Sequence, residues 1–312
     1  MIEPGMPSPS DVAAAAERIR PYVRRTPLLT ADLGGWQVTL KLEHLQLTGS
    51  FKIRSATNTL RSLDPPPGAV VAASGGNHGL GVAAAAAALG AAATIVVPES
   101  VPAEKARRIT ETGATVVRHG GEYAEAEAHA RRLAETLAAP FVHPFDDPAV
   151  VAGQGTVGLE FAQDLGSARL AERCDALLVA VGGGGLIAGI ATALEGTGVR
   201  VVGVEPVGVP TMSAALKAGE PVDVDVDSVA ASALGARRTS PLNLAVAQRA
   251  VDRVVLVEDE EILAARDLLW EACRLAVEPA GALGLAALLT GTIEAERPGL
   301  VLCGANSAWR PA

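Results

Sequence analysis

Residues Ala176–Leu194, ALLVAVGGGGLIAGIATAL, form an uncharged run of 19 residues, long enough to raise the question of a membrane span. Four consecutive glycines, Gly182–Gly185, stand at its centre. Interior glycines each cost a helix about 1 kcal/mol, which argues against a lone lipid-exposed helix. A buried strand, a glycine turn and a helix account for the same residues, and that unit belongs to an α/β fold.

The same rhythm extends in both directions. Upstream, Gly68–Ala73 (GAVVAA) reads as a buried strand, SGGNHG as a loop and Gly81–Leu89 as a helix stopped by Gly90. Strand Thr94–Val97, helix Ala103–Thr112, strand Thr115–Arg118, helix Glu122–Ala138 and strand Pro140–His143 follow. Downstream come strands Val199–Val204 and Arg253–Val257, helix Glu260–Leu275 and strand Leu300–Cys303. Such alternation implies parallel sheets with helices on both faces. We expect two open, twisted, mostly parallel sheets, with a small domain (65–145) inserted in a large domain made of 1–64 and 146–312. The opening segment, a helix at Ser10–Arg20 and a strand at Val38–Leu42, has too little core to stand alone and should pack on the larger sheet. Ligands bind at the C-terminal ends of strands in sheets of this kind, so the loops after strands are where chemistry is expected.

Composition narrows the function classes. The chain has 312 residues, 49% hydrophobic and 20% charged, enough for about two domains and too apolar for disorder. A net charge of −9 and 3% aromatics exclude the basic, ring-rich surface of a nucleic-acid binder and the basic face that anionic membranes attract. Cys174, Cys273 and Cys303 lie far apart with no CxxC, which fits a reducing cytoplasm better than a disulfide scaffold or a zinc ribbon. The opening MIEPGMPSPSD carries an acid and prolines where a signal peptide would have basic and then apolar residues.

Only four lysines are present: Lys41, Lys52, Lys105 and Lys217. Lys105 and Lys217 read as solvated helix residues, and Lys217, just before Gly219, suits the negative end of a helix. Lys41 reads as a strand residue paired with Glu43. Lys52 differs. The segment LTGSFKIRSATNTLRSL (47–63) reads as a helix capped by Ser50, with Lys52 in its first turn. The positive helix end disfavours an ammonium there, and a lysine with an accessible neutral amine is what Schiff-base chemistry requires. The bland alternative is a solvated first-turn lysine.

Two glycine loops stand out. Ser74-Gly75-Gly76-Asn77-His78-Gly79 joins a buried strand to an alanine-rich helix and reads as a cradle for a small anion such as a carboxylate. A plain capped turn explains one polar residue there, not three. Gly182–Gly185 lets the backbone approach a ligand closely and offers successive N–H groups to a phosphate. A P-loop would need a lysine there, and none is present. A dinucleotide site would need GxGxxG, but Ile187 and Ala188 occupy the last-glycine positions, although Glu205 stands about 20 residues on, as a ribose-binding acid would. A phosphate cup for a mononucleotide-like cofactor remains. Cys303-Gly304-Ala305-Asn306 ends an apolar strand, where Cys303 is either core packing or a weak thiol facing the ligand crevice.

Taken in order, TGSFKIRSA, ASGGNHGLGVA, HPFDDPAVVAGQGT, the glycine loop, VEPAGA and LCGAN resemble the pyridoxal-phosphate serine/threonine dehydratase family, whose fold type II architecture is shared with tryptophan synthase β subunits and serine racemase. The likeness runs from about Asp11 to Ser307. It implies that Lys52 holds the cofactor as a Schiff base and removes the substrate α-proton. It further implies that Asn77 bonds the ring 3-hydroxyl, Gly182, Gly183, Gly184 and Gly185 hold the phosphate, and Cys303 faces the pyridine nitrogen. Ser74, Gly75, Asn77 and His78 would hold the substrate carboxylate. A thiol at the ring nitrogen leaves the ring unprotonated and favours β-elimination over transamination.

Departures from the relatives sharpen the expectation. Racemase-like members carry a serine base where this chain has Gly75, and Phe145 also resembles the dehydratases. Racemase-like members bind a divalent cation through a glutamate and an aspartate six residues later, whereas Glu205 is followed at that spacing by Thr211, so no metal is expected. The chain stops soon after Trp309, so a C-terminal regulatory domain is not expected. The resemblance therefore implies a pyridoxal 5'-phosphate lyase that converts L-threonine or L-serine to a 2-oxo acid and ammonia, as a cytoplasmic homodimer with no nucleic-acid or membrane partner. The alternatives are a racemase or β-replacement synthase of the same fold, a nicotinamide-dependent oxidoreductase, and a non-catalytic sensor.

Overall fold

The computed structural model describes residues 5–307 and 309. Residues 1–4 of the segment read for a signal peptide lie outside the described residues.

Strands β1 (Leu28–Leu33) and β2 (Trp36–Lys41) form an antiparallel hairpin. Strands β3 (Ala69–Ala73), β4 (Ala92–Val97) and β5 (Thr115–Arg118) form a parallel three-stranded sheet. Strands β6 (Ala176–Ala180), β7 (Arg200–Pro206), β8 (Arg253–Val257) and β9 (Pro298–Val301) join the hairpin in a six-stranded sheet, ordered β1-β2-β9-β6-β7-β8. The opening segment does join the larger sheet, because β2 pairs in parallel with β9. The strand expected at Pro140–His143 is reduced to a single bridge, Phe141 opposite Val71. Prolines at 140 and 144 remove the donors that a longer ladder would need.

Helices α1 (Pro9–Ile19) and α2 (Lys52–Ser62) precede the small sheet, and α3 (Asn77–Ala88), α4 (Ala103–Thr110) and α5 (Tyr123–Thr136) complete the small lobe. Side chains alternate across its sheet: Val70, Ala72, Ile95 and Val97 pack with Ile53 and Leu60 of α2 and Val82 of α3, while Val71, Ala73 and Val96 pack with the alanine face of α5. The remaining helices are α6 (Pro148–Leu165), α7 (Leu170–Arg173), α8 (Gly185–Ala193), α9 (Thr211–Ala218), α10 (Ala231–Leu234), α11 (Pro241–Ala250), α12 (Asp259–Cys273) and α13 (Pro279–Leu289). Leu177 and Gly299 face Phe161 of α6, whereas Leu178 and Leu300 face Gly284 of α13, so the large sheet is covered on both faces.

Helix α6 is the hub of the large lobe, packed against α1, α2 and α8. Its start is set by Asp147, whose carboxylate accepts from the N–H groups of Ala149 and Val150, with Pro148 at the first helical position. The glycines of its AGQGT motif allow close passage. A Cβ on Gly155 would lie 2.6 Å from the carbonyl oxygen of Gly189 on α8, and one on Gly153 would lie 2.7 Å from Cα of Ser55 on α2.

Two local expectations are corrected. Helix α2 begins at Lys52 without a side-chain cap, and Ser50 instead pairs with Gly304 in an isolated bridge. Lys41 is fully buried but pairs with Glu160 at 2.8 Å, not with Glu43. Glu43 is taken by Arg54, whose Nε and Nη2 reach both its oxygens at 2.8 Å while the same guanidinium also binds Glu160. The planar fork reaches both oxygens of each carboxylate, and Lys41 shares Glu160 Oε2 with it. Removing one partner from so buried a network costs about 3–5 kcal/mol. This cluster seats α2, and so Lys52, from below. No helix among the described residues is long and apolar enough to cross a membrane; the 176–194 run is β6, the glycine loop and α8.

Candidate active site

Helix α2, the loop after β6, the N-terminus of α3 and the loop after β9 converge on one cavity of about 50 Å³. Lys52, Asn77, Gly182, Gly183, Gly184, Gly185 and Cys303 all line it, together with Phe145 and Glu278. Ser74, Gly75 and His78 are not among its lining residues; they flank it on the adjoining loop and the first turn of α3.

Lys52 points its amine inward, where Nζ donates to the carbonyl of Pro144 at 2.7 Å. Burial lowers its pKa to about 8. Desolvation is the largest cause, and Lys52 stands at the first position of α2, as expected from the sequence. The amine is therefore neutral in an appreciable fraction of molecules near neutral pH, as a nucleophile or base must be.

The glycine loop works through its backbone. Gly184 adopts a left-handed conformation (φ +92°), and the first helical bond of α8 runs from Ala188 to Gly184. The N–H groups of Gly185, Leu186 and Ile187 precede that bond and stand at the positive end of the helix. The carbonyl of Gly183 is turned away, accepting from Thr239 Oγ1 at 3.1 Å and Asn243 Nδ2 at 2.9 Å. A Cβ on Gly183 would come within 2.2 Å of the Phe145 ring, and one on Gly185 within 2.6 Å of Gln154 Oε1. The loop is a cradle that a side chain would fill, and it fits a phosphate dianion.

Cys303 lies two residues past the end of β9, buried, with its thiol held protonated by burial and by the neighbouring Glu278. Glu278, from the VEPAGA motif, is itself buried, and burial raises its pKa. It accepts from Asn77 Nδ2 at 2.7 Å, and it packs closely on Gly304, where a Cβ would lie 2.2 Å from Glu278 Oε1.

Helix α3 begins at Asn77, earlier than the sequence suggests, so Asn77 and His78 belong to its first turn. The imidazole of His78 donates from Nε2 to the carbonyl of Val142 at 2.9 Å, while Nδ1 is buried without a partner. Burial and the Lys52 charge lower its pKa to about 3, so the ring is neutral. What it offers an anion is its backbone N–H, which with those of Asn77 and Gly79 precedes the first helical bond, from Leu80 to Gly76. Ser74 Oγ accepts from Gly76 N–H at 3.1 Å. A Cβ on Gly75 would lie 2.4 Å from Val101 Cγ2.

Glu205 is apart from the cavity. It is fully buried at the end of β7 and caps α9 by accepting from Met212 N at 2.6 Å and Ser213 N at 2.9 Å. Burial raises its pKa to about 7. Its oxygens are thus engaged within the fold rather than presented to a ribose or a cation. Sequence reasoning misses Pro144, Glu278, Thr239, Asn243 and Asn306. Glu278 and Asn306 lie inside quoted motifs, whereas nothing local marks Thr239 or Asn243.

Comparison with known proteins agrees with this chemistry. Residues 19–304 match the model of the family described as pyridoxal-phosphate dependent enzyme. The L-threonine ammonia-lyase of Geobacter sulfurreducens is 41% identical over 286 residues, 89% of this chain and 70% of that protein. That of Thermotoga maritima is 37% identical over 305 residues, 95% of this chain and 75% of the relative. Among solved structures, the T.th. threonine deaminase superposes with a TM-score of 0.91 at 38% identity, covering 98% of this chain and 100% of that one. Maize serine racemase also reaches 0.91, at 30% identity over 97% of this chain and 94% of its own. With a lysine amine, a phosphate-sized backbone cradle and a neutral thiol converging on one cavity, and with the match covering nearly the whole chain, the chain belongs to the pyridoxal-phosphate dependent enzyme family.

Proposed function

We propose that this chain deaminates a β-hydroxy amino acid, L-threonine or L-serine, to a 2-oxo acid and ammonia, the water lost from the β-carbon being regained when the released amine hydrolyses. The observation that carries the reading is the joint placement of the Lys52 amine, the glycine cradle and the protonated Cys303 thiol on one cavity. Pyridoxal phosphate, when bound, supplies an electron sink conjugated to the substrate α-carbon. Gly182–Gly185 hold its phosphate through backbone N–H groups, and Asn77 directs an amide N–H to its ring hydroxyl. Cys303 is too weak an acid to protonate the ring nitrogen, which keeps the sink modest and favours early loss of the β-hydroxyl over transamination.

Backbone N–H groups at the start of α3, with Ser74, Gly75, Asn77 and His78, hold the substrate carboxylate. Lys52, returned to its amine form, takes the α-proton. Water leaves from the β-carbon, and the unsaturated amine that is released hydrolyses to the 2-oxo acid and ammonia. The likeness to maize serine racemase favours racemisation as a second reading. Gly75 opposes it, since no side chain there can deliver a proton to the opposite face, and Val101 fills the space such a side chain would need. The same reading takes 65–145 as a small domain inserted between 1–64 and 146–312, and the enzyme as a homodimer in the cytoplasm, a compartment that its three free cysteines suit.

The test is a 2-oxo-acid and ammonia assay on cofactor-loaded protein with L- and D-threonine and L- and D-serine. Turnover of the L-enantiomers is expected. Enantiomer exchange without 2-oxo acid would establish the racemase instead.

A further inference from the structure

Asn77 is held at both ends of its amide. Its Nδ2 donates to Glu278 Oε1 at 2.7 Å, and its Oδ1 accepts from Asn306 Nδ2 at 2.7 Å. Asn306 is held in turn: Nδ2 also donates to the carbonyl of Thr48 at 2.8 Å, and Oδ1 accepts from Arg108 Nη2 at 2.7 Å. Arg108 lies in α4, in the small lobe, whereas Asn306 and Glu278 belong to the large lobe. The chain of contacts therefore starts on one lobe and ends at the cavity wall.

The polarity of that chain follows from its first member. A guanidinium has donors only, so the Asn306 atom facing Arg108 must be the oxygen. Asn306 then turns its NH2 toward Asn77, which fixes the Asn77 oxygen there and sends the Asn77 NH2 toward Glu278 and the cavity. One N–H of that NH2 goes to Glu278, leaving the other for an acceptor in the cavity. A flipped Asn77 would present an oxygen to that acceptor and repel it. Two further observations agree. Gly49 has φ +72°, and a Cβ there would lie 2.7 Å from Asn306 Oδ1, so the seat of Asn306 is built to fit. Lys105 and Arg108, both on α4, act together to oppose the rise in the Glu278 pKa.

We propose that Arg108 is a positioning residue: acting through Asn306, it sets the orientation of the Asn77 amide and so reports the seating of the small lobe to the cofactor ring. The proposal rests on the reading of Asn77 as the ring-hydroxyl partner. When α4 moves away from the 303–306 loop, Asn306 keeps only the Thr48 carbonyl to fix its polarity, and its hold on the Asn77 amide weakens. Small-lobe position and cofactor environment are thereby linked.

The experiment compares the absorbance spectrum and the cofactor dissociation constant of purified holoenzymes carrying Arg108→Met, Arg108→Lys, Asn306→Ala, Asn77→Ala and the Arg108→Met/Asn306→Ala pair. Arg108→Met and Asn306→Ala are expected to alter the spectrum in the same sense and weaken cofactor binding about 3- to 10-fold, the worth of one buried hydrogen bond. Arg108→Lys, which still donates, should recover part of the loss. The double variant should match Asn306→Ala within about twofold, because both act on one path. Arg108→Met with a wild-type spectrum and affinity, beside an altered Asn77→Ala, would refute the relay and leave the Asn77 reading standing. A silent Asn77→Ala would remove that reading and the relay with it. Losses that add in the double variant would also overturn the proposal, as would a drop in apoprotein melting temperature for Arg108→Met with no spectral change.

Discussion

Two loops reach the cavity from the ends of parallel strands, and both run from strand through glycine to helix, yet they are built on opposite plans. The loop after β6, at 181–185, contributes no polar side chain. Its Gly183 carbonyl is tied back by Thr239 and Asn243, and Phe145 and Gln154 pack closely against its glycines. The loop after β3 ends in Asn77 and His78, each fixed by its side chain to other parts of the protein. The first is a rigid set of N–H groups suited to a phosphate that stays in place through every turnover. The second sits on the small lobe and can respond to a substrate that comes and goes. Backbone recognition tolerates no added atom, whereas side-chain recognition can be retuned.

The sharpest way to test that division is to remove the group on which both loops converge. Lys52→Ala should lower turnover about 10³-fold or more while leaving cofactor held by the glycine loop, because a base and nucleophile are lost but the cradle is not. Measurement of kcat together with cofactor content after gel filtration checks it. Loss of all bound cofactor would mean that the cradle contributes little by itself.

Next comes the cradle. Gly183→Ala would press a methyl against the Phe145 ring, 2.2 Å away, and overpacking of this sort costs about 1–3 kcal/mol. Cofactor affinity should fall about 10- to 100-fold, and Phe145→Leu in the same chain should restore part of it. Fluorescence titration of the apoenzyme reads both. A smaller effect follows from the lysine itself. Its pKa is lowered to about 8, so the neutral fraction rises through that pH and levels off above it. The sign is that of a buried cation: burial penalises the charged form, so less proton is bound than in water. Reconstitution of apoenzyme with cofactor should accelerate about fivefold from pH 7 to pH 8 and plateau near pH 9. An unperturbed lysine would give a tenfold rise per pH unit up to about pH 10.

The same contrast explains what can be read from sequence. Four glycines in a row announce a backbone site, because nothing else in a strand–helix unit needs them, and with lysine so scarce Lys52 is conspicuous. Asn77 and Glu278 meet across 201 positions, and Asn306 and Arg108 across 198, so neither pair leaves a local signature. Helix α6 escapes detection because it is buried against three neighbouring helices and shows no polar stripe from which a helical period could be read. Strand β1, LLTADL, is a half-exposed edge that turns Thr30 and Asp32 outward and so lacks the continuous apolar run of a buried strand. The sheets themselves are legible because buried parallel strands are near-continuous apolar runs.

The smallest expected effect lies in the other loop, and it is the one that could break the comparison. Gly75→Ser adds a hydroxyl to this loop, but its Cβ would lie 2.4 Å from Val101 Cγ2, and valine has no flexible end to swing aside. Alone, the change should raise KM for the amino acid a few-fold and leave cofactor affinity within about twofold. With Val101→Ala, the serine gains room, and the ratio of D-enantiomer formed to 2-oxo acid formed should rise, read by chiral chromatography of the reaction mixture. This loop would then have accepted a new side chain and a new proton donor, as its plan predicts, where the glycine cradle accepts none. If Gly75→Ser instead expels the cofactor, the two loops are parts of one rigid cradle, and the division between a fixed phosphate seat and a retunable substrate seat fails.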